Sequence, residues 1–144
     1  MPFCVLETFR LIDRFVVPFH SIDMLRHVNH AEYVVWAESV RARYMAEVLE
    51  TDITGLFGGI IAKLVVDYER QLEYLEPVAV GCRVSRFGTK SFDMLHEVWS
   101  ERSGKRAATI VGTMVAFDYA ANTSIVIPAQ WRERVAAFEA VPVQ

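Results

Sequence analysis

DMLRHVNHAEYVVWAESVRARY, residues 23–44, joins an acidic loop to the start of a long helix. Asn29 precedes an apolar-periodic run and Glu32 follows three positions later, the spacing of a reciprocal N-terminal cap that satisfies the first free backbone N–H groups. A helix is therefore expected from His30. At about 100° per residue, Tyr33, Trp36, Ala37, Val40, Tyr44 and Val48 share one stripe, while Val35, Ala42 and Ala46 make the opposite side apolar as well. Such a helix calls for burial nearly all round. Running to about Leu49, it would span roughly 30 Å at about 1.5 Å per residue, enough to cross a small domain and be wrapped by a sheet. Its first N–H groups and positive dipole end make an anion-seeking terminus, and Asp23 lies in the loop that leads into it.

A chain of 144 residues, 53% hydrophobic and 23% charged, fits a single domain spanning residues 1–144 with a substantial core. The formal net charge of -3 argues against non-specific nucleic-acid binding, which needs a clustered basic face. Cys4 and Cys82 are too few and too far apart for a disulfide framework or a metal site, so no metal is expected. No secretory segment or long apolar span opens the chain, and the expectation is a reduced, cytoplasmic protein without a membrane partner.

Phe9 to Val17 (FRLIDRFVV) reads as a strand that Pro18 ends by withholding a donor. After the long helix, Thr51 to Gly59, with Gly55, Gly58 and Gly59, reads as a flexible break in which Leu56 and Phe57 line a pocket or merely connect. From Ile60 the period becomes two. Ala62, Leu64, Val66 and Tyr68 alternate with charged or outward residues, and Val78, Val80, Cys82 and Val84 form the apolar face of the next strand. Turns at Gly88 and Gly104 delimit two further strands. Ala107 to Phe117 is apolar on both faces, which suggests the long helix on one side and another subunit on the other. Pro128 then introduces a short helix, Ala129 to Phe138, with Trp131, Val135 and Phe138 at helical spacing. Strand, long helix, four antiparallel strands and a terminal helix make an α+β order. No βαβ alternation appears, so a dinucleotide fold is not expected.

These residues resemble the hot-dog fold acyl-CoA thioesterases, specifically the branch like 4-hydroxybenzoyl-CoA thioesterase. The resemblance rests on Asp23, followed by His27-Val28-Asn29, by His30-Ala31-Glu32-Tyr33, and by Glu38 and Arg41 on the helix. Tyr68 to Gly81 (YERQLEYLEPVAVG), Gly88-Thr89-Lys90-Ser91-Phe92 and the terminal IVIPAQWRERV are similar to family segments too. Two positions depart from the pattern: Ser21 stands where relatives often carry a second acid, and Arg26 where a glycine is common.

What the resemblance implies is an antiparallel sheet wrapped around a long central helix, and hydrolysis of an acyl-CoA to acid and free thiol without a metal. It also implies a homodimer or dimer of dimers, and no cofactor beyond coenzyme A as part of the substrate. Asp23 would attack the thioester carbonyl or activate a water, with the His30 backbone N–H holding the oxyanion. His30, and after it His27, would orient or exchange protons. Arg26 would tune Asp23, meet an acidic acyl group or face solvent. Tyr33 would line the acyl pocket or simply belong to the core, and the phosphates would meet cations of the two hairpins, drawn from Arg83, Arg86, Lys90, Arg102, Lys105 and Arg106, with Lys90 and Arg86 preferred because they flank the Gly88 turn. Glu38, expected to pair with Arg41, is an alternative base. His96 is expected to be a satisfied core residue. Two other classes fit the same fold: an enoyl-thioester hydratase or dehydratase, and a non-catalytic acyl-thioester or small-lipid binding module.

Overall fold

The structure, a computed structural model, describes residues 6–51 and 57–144. Along the chain run β1 (Leu11–Val16), a short 3-10 turn (Phe19–Ser21), α1 (His30–Glu47), β2 (Phe57–Tyr68), β3 (Pro77–Phe87), β4 (Ser91–Ser100), β5 (Lys105–Asp118), β6 (Thr123–Ser124) and α2 (Ala129–Phe138). The strands form one sheet in the order β1-β3-β4-β5-β2, with β6 paired to β5, and the pairings are antiparallel. The sheet wraps α1, as expected. Strand β2 does not neighbour β3, however: it crosses to the far side of β5 and becomes an edge.

The α1 stripe is the centre of the core. Tyr33, Trp36, Ala37, Val40 and Tyr44 are all buried on it, packed mainly against β3. Fully burying a large apolar side chain contributes about 1.5–3 kcal/mol, so the four large members of this set supply on the order of 10 kcal/mol before the cost of ordering the chain. Phe15 of β1 meets Trp36 edge-on at 5.0 Å, and Tyr33 meets Tyr68 of β2 at 5.2 Å. The opposite face is not covered by the described residues, since Val35 remains 54% exposed and Ala42 is open to solvent.

On the sheet side Val78, Val80, Cys82 and Val84 are all fully buried, as their alternation requires. Gly81 is needed for space: a Cβ there would sit 2.6 Å from the Phe9 ring, which lies flat against the strand. Gly58 and Gly59, read from sequence as part of a break, belong to β2 and pair with Phe117 and Ala116. Strand pairing to β5 overrides their low intrinsic preference. Gly55 and Leu56 lie outside the described residues, as does the side chain of Phe57. The described part of β2 carries one bulge, between Ile61 and Lys63, so the expected strict alternation breaks at Ala62.

The loop before α1 is tightly built. Asp23 N–H donates to the His27 carbonyl (3.1 Å), Arg26 N–H returns to the Asp23 carbonyl (3.0 Å), and Ile22 bridges Val28 across the base. Arg26 closes this turn with φ 67°, in the left-handed region where a side chain is strained and glycine is not. That is a physical reason for a glycine at this position.

Core polarity differs from expectation in two places. His96 is buried with Nδ1 donating to the Ile110 carbonyl (3.1 Å), but its Nε2 has no partner among the described residues. Arg41, rather than pairing with Glu38, is buried beneath α1 with Nη1 also unpartnered, while Glu38 is exposed. Burial, and then the Arg41 charge, hold the His96 imidazole down at about 4.

Two outcomes follow for stability. As pH falls from 6.5 to about 4, the unfolded chain takes up the His96 proton before the folded one, so this residue's contribution declines by on the order of 3 kcal/mol. Glu139, whose pKa burial raises, has the opposite sign. Urea unfolding of wild type and His96→Leu at pH 7 and pH 4.5 isolates the histidine; parallel pH slopes would refute the effect. Arg26→Gly should gain up to about 1 kcal/mol in the same assay, because the turn no longer forces a side chain into the left-handed region.

Candidate active site

Asn29 caps α1 by accepting the Ala31 N–H on its side-chain oxygen (2.9 Å). The reciprocal half of the expected cap does not form. Asn29 N–H donates to the Ser21 carbonyl (2.8 Å), and the Glu32 carboxylate instead receives the Ser21 hydroxyl (2.9 Å). Ser21, the departure from the family pattern, thus ties the loop to the first turn of the helix. Val28 N–H fastens the same loop to the Leu72 carbonyl (2.9 Å).

With these bonds in place the His30 N–H has no protein acceptor among the described residues. It heads the helix, where the dipole is positive. His30 itself is exposed, and Tyr68 at the end of β2 donates its hydroxyl to the His30 carbonyl (2.7 Å), fixing the first turn against the sheet edge. Beside this terminus lies a cleft of about 760 Å³ whose lining includes His27, His30, Tyr33, Tyr68, Arg70 and Lys105. Burial, followed by the neighbouring Tyr68 and Glu76, pushes the Tyr33 phenol up to about 12, so it is a neutral hydroxyl across the working range of most enzymes.

The structure brings His27, His30 and Tyr33 together on this cleft. Asp23 is half-buried in the adjoining loop, with Oδ1 accepting the Leu25 N–H (2.8 Å), but it is not part of the lining. Arg26 is exposed and forms no ion pair with Asp23 among the described residues. Arg86 and Lys90 are not at this cleft. Arg86 is bound to Asp93 (2.8 Å) and Lys90 Nζ lies 3.5 Å from Ser124 Oγ, at the end of β4 opposite the Arg102–Lys105 turn. Ten β residues separate the two ends, roughly 30 Å. Glu38 does not line the cleft either.

Tyr68 and Arg70 went unmarked as site residues in sequence. Tyr68 was visible only as the last member of a strand alternation, and nothing local announces that its hydroxyl reaches a helix start 38 positions away. Among the described residues no group of three or more His, Cys, Asp or Glu side chains is placed to hold a metal ion, and no helix is long and apolar enough to cross a membrane.

Comparison with known proteins agrees with this architecture. A thioesterase from Thermus thermophilus, solved with coenzyme A and Zn, is 32% identical, with 95% of this chain and 99% of that one covered and a TM-score of 0.82. A Pseudomonas aeruginosa protein (22% identity, 96% of both chains, TM-score 0.81) and a Staphylococcus aureus protein in complex with CoA (15%, 93% and 87%, TM-score 0.83) share the fold. No curated protein sequence matches. Residues 17–139 match the thioesterase-like superfamily, and over that span the chain carries both the sheet-wrapped helix and the cleft at its N-terminus; it belongs to that superfamily and is a thioester hydrolase.

Proposed function

We propose that the protein hydrolyses an acyl-CoA to the free acid and coenzyme A, with Asp23 as nucleophile or general base and the first turn of α1 as oxyanion hole. The observation that carries this reading is the His30 N–H, which heads a buried helix beside a cleft and donates to no protein group among the described residues. A thioester carbonyl oxygen placed there gains a donor as its charge develops. The attack comes from the Asp23 side, where Oδ1 is held by Leu25 N–H and the second oxygen has no protein partner among the described residues. Thiolate then leaves as the carbonyl re-forms, a departure easy enough that a carboxylate suffices: acting through water it gives the free acid at once, and attacking directly it forms a mixed anhydride that a water then hydrolyses to the acid, restoring Asp23. His30 and His27, on the cleft wall, supply or receive protons as the thiol departs. Tyr33 presents a neutral hydroxyl and a ring to the acyl side.

The active unit in this reading is a homodimer, or two such dimers, built on β2. Its outer edge carries unpaired backbone groups, and Ile60, Ile61, Val65 and Tyr68 along it are between 37% and 48% exposed. A long apolar edge is a template for strand addition, and antiparallel pairing with a second copy of itself satisfies both edges under two-fold symmetry. The 32%-identical Thermus protein, solved with coenzyme A, supports the choice of thiol.

Two measurements test this. Asp23→Asn retains an acceptor for Leu25 N–H, so the turn and the melting temperature should persist while thiol release falls by about 10²-fold or more. Undiminished turnover would remove Asp23 from the chemistry. Ile61→Lys with Val65→Lys should convert the protein to a single-chain mass by light scattering with its circular dichroism intact, whereas an unchanged mass would place the interface elsewhere.

A further inference from the structure

The charges around the cleft are not equally committed. Glu69 is held by Arg106 through two bonds of 2.8 Å, Nε to Oε2 and Nη2 to Oε1. Glu76, buried, accepts the Ser100 hydroxyl and the Glu73 N–H (3.0 Å), and shares Arg102 with Glu73 at 4.0 and 3.7 Å. Every carboxylate of the lining thus has a cationic partner within the protein. Arg70 and Lys105 do not: among the described residues neither side chain makes an ion pair or hydrogen bond, although both line the cleft. The fold sets them side by side by pairing β2 with β5. The Ala107 carbonyl accepts both the Glu69 N–H (2.8 Å) and the Arg70 N–H (3.1 Å), so the chain leaving β2 turns back onto the start of β5, where Lys105 stands. The cleft therefore holds two cations without a protein partner among the described residues, in addition to the free amide end of α1.

We infer that Arg70 and Lys105 bind phosphate groups of the substrate's thiol carrier, anchoring it so that the thioester reaches the His30 N–H. Guanidinium and ammonium donors make their strongest hydrogen bonds to anionic oxygens, and a pair of them free of internal partners has no protein charge to surrender when such a group arrives. A carboxylate on the acyl chain is a poorer match for the pair, because it offers two oxygens and one charge where a phosphate offers more of both, and the glutamates of the same wall, Glu69, Glu73 and Glu76, are already held by Arg106 and Arg102. A flexible polyanion that presents two or more phosphate oxygens outward meets both cations without displacing those acids. The phosphate has two possible sources, the nucleotide of coenzyme A and the phosphodiester of an acyl carrier protein. The inference rests on the thioesterase reading above.

The test compares the full-length wild type with Arg70→Gln, Lys105→Gln and the double variant on one acyl group carried by coenzyme A, by acyl carrier protein and by pantetheine, which has no phosphate. Each lost charge should raise KM for the phosphorylated carrier about tenfold with kcat nearly constant, while the pantetheine thioester and the melting temperature stay unchanged. The wild-type KM for the phosphorylated carrier should rise with salt, and this slope should flatten in the double variant. A loss on the CoA ester assigns the phosphates to the nucleotide, and a loss confined to the carrier protein assigns them to the phosphodiester. Unchanged KM on both, or an equal loss on pantetheine, would overturn the phosphate site. Calorimetric binding of free CoA gives a readout independent of turnover: a dissociation constant unmoved by the double substitution, with no loss on the carrier protein, would overturn it as well. Absence of hydrolysis of any thioester by wild type would instead sink the thioesterase reading, which separates the two failures.

Discussion

Burial of one face of α1 against the sheet is the constraint on which the rest of the molecule depends. Tyr33, Trp36, Val40 and Tyr44 fix both the axial position and the rotation of the helix, because each meets a partner in a different element: Phe15 in β1, Tyr68 in β2, Phe138 in α2 and the valine face of β3. A helix so held cannot slide to satisfy its own first N–H groups. Its terminus is carried to the rim of the sheet, where Asn29 takes one donor and the His30 N–H is left facing outward. The unsatisfied amide proposed as the oxyanion donor is thus a by-product of core packing, and its orientation costs the protein no separate scaffold.

The same constraint explains how much could be read in the residues alone. The helix limits, the apolar stripe, the valine face of β3 and the extent of α2 all express a local period matched to burial, so His30, Tyr33 and Ala129–Phe138 fell where the pattern put them. Strand order did not. That β2 pairs with β5 and not with β3 depends on the length of the segment Glu69–Glu76 and on where Leu72 docks on Val28, contacts between residues more than 40 positions apart. The cap shows a finer version of the problem. Asn29 and Glu32 have the spacing of a reciprocal pair, yet Ser21 competes for Glu32 from the loop, and tertiary geometry decides between two equally good local bonds.

Charged residues were the least legible. Arg41 has an acid three positions earlier on the same helix, and an isolated helix would pair the two. In the folded chain Arg41 lies on the buried stripe between Val40 and Tyr44, so its guanidinium is drawn under the helix toward Cys82 and His96, while Glu38, on the other face, remains in water. Periodicity did place Arg41 next to the stripe. What it could not supply is the row Cys82, His96 and Ile110, aligned across β3, β4 and β5, which gives the imidazole its carbonyl partner and faces its second nitrogen into the core. The cations of the two hairpin regions pose the same difficulty. Arg86, Lys90, Arg102, Lys105 and Arg106 look equivalent as a list of basic residues near turns, and only the folded chain shows that Arg86 is held by Asp93, Arg102 by Glu73 and Glu76, and Arg106 by Glu69, while Lys105 lines the cleft without a partner among the described residues.

That separation bears on how a cleft with balanced formal charge can still attract an anion. Ion pairs that are satisfied internally are nearly neutral at a distance, since each carboxylate field is cancelled within about 4 Å by its own partner. Glu69 is held in this way by Arg106, which also takes Glu97, while Glu73 and Glu76 share Arg102. Outside those groups the cleft carries Arg70, Lys105 and the helix terminus, all of the same sign and without a protein partner among the described residues. Counting charges along a sequence gives the sum of both classes and hides the second, so a net charge of -3 does not report which cations at this cleft are without partners. In the proposed reading, a phosphate held by Arg70 and Lys105 leaves the thioester end of the ligand free to reach the donor at the same cleft, the first amide of α1.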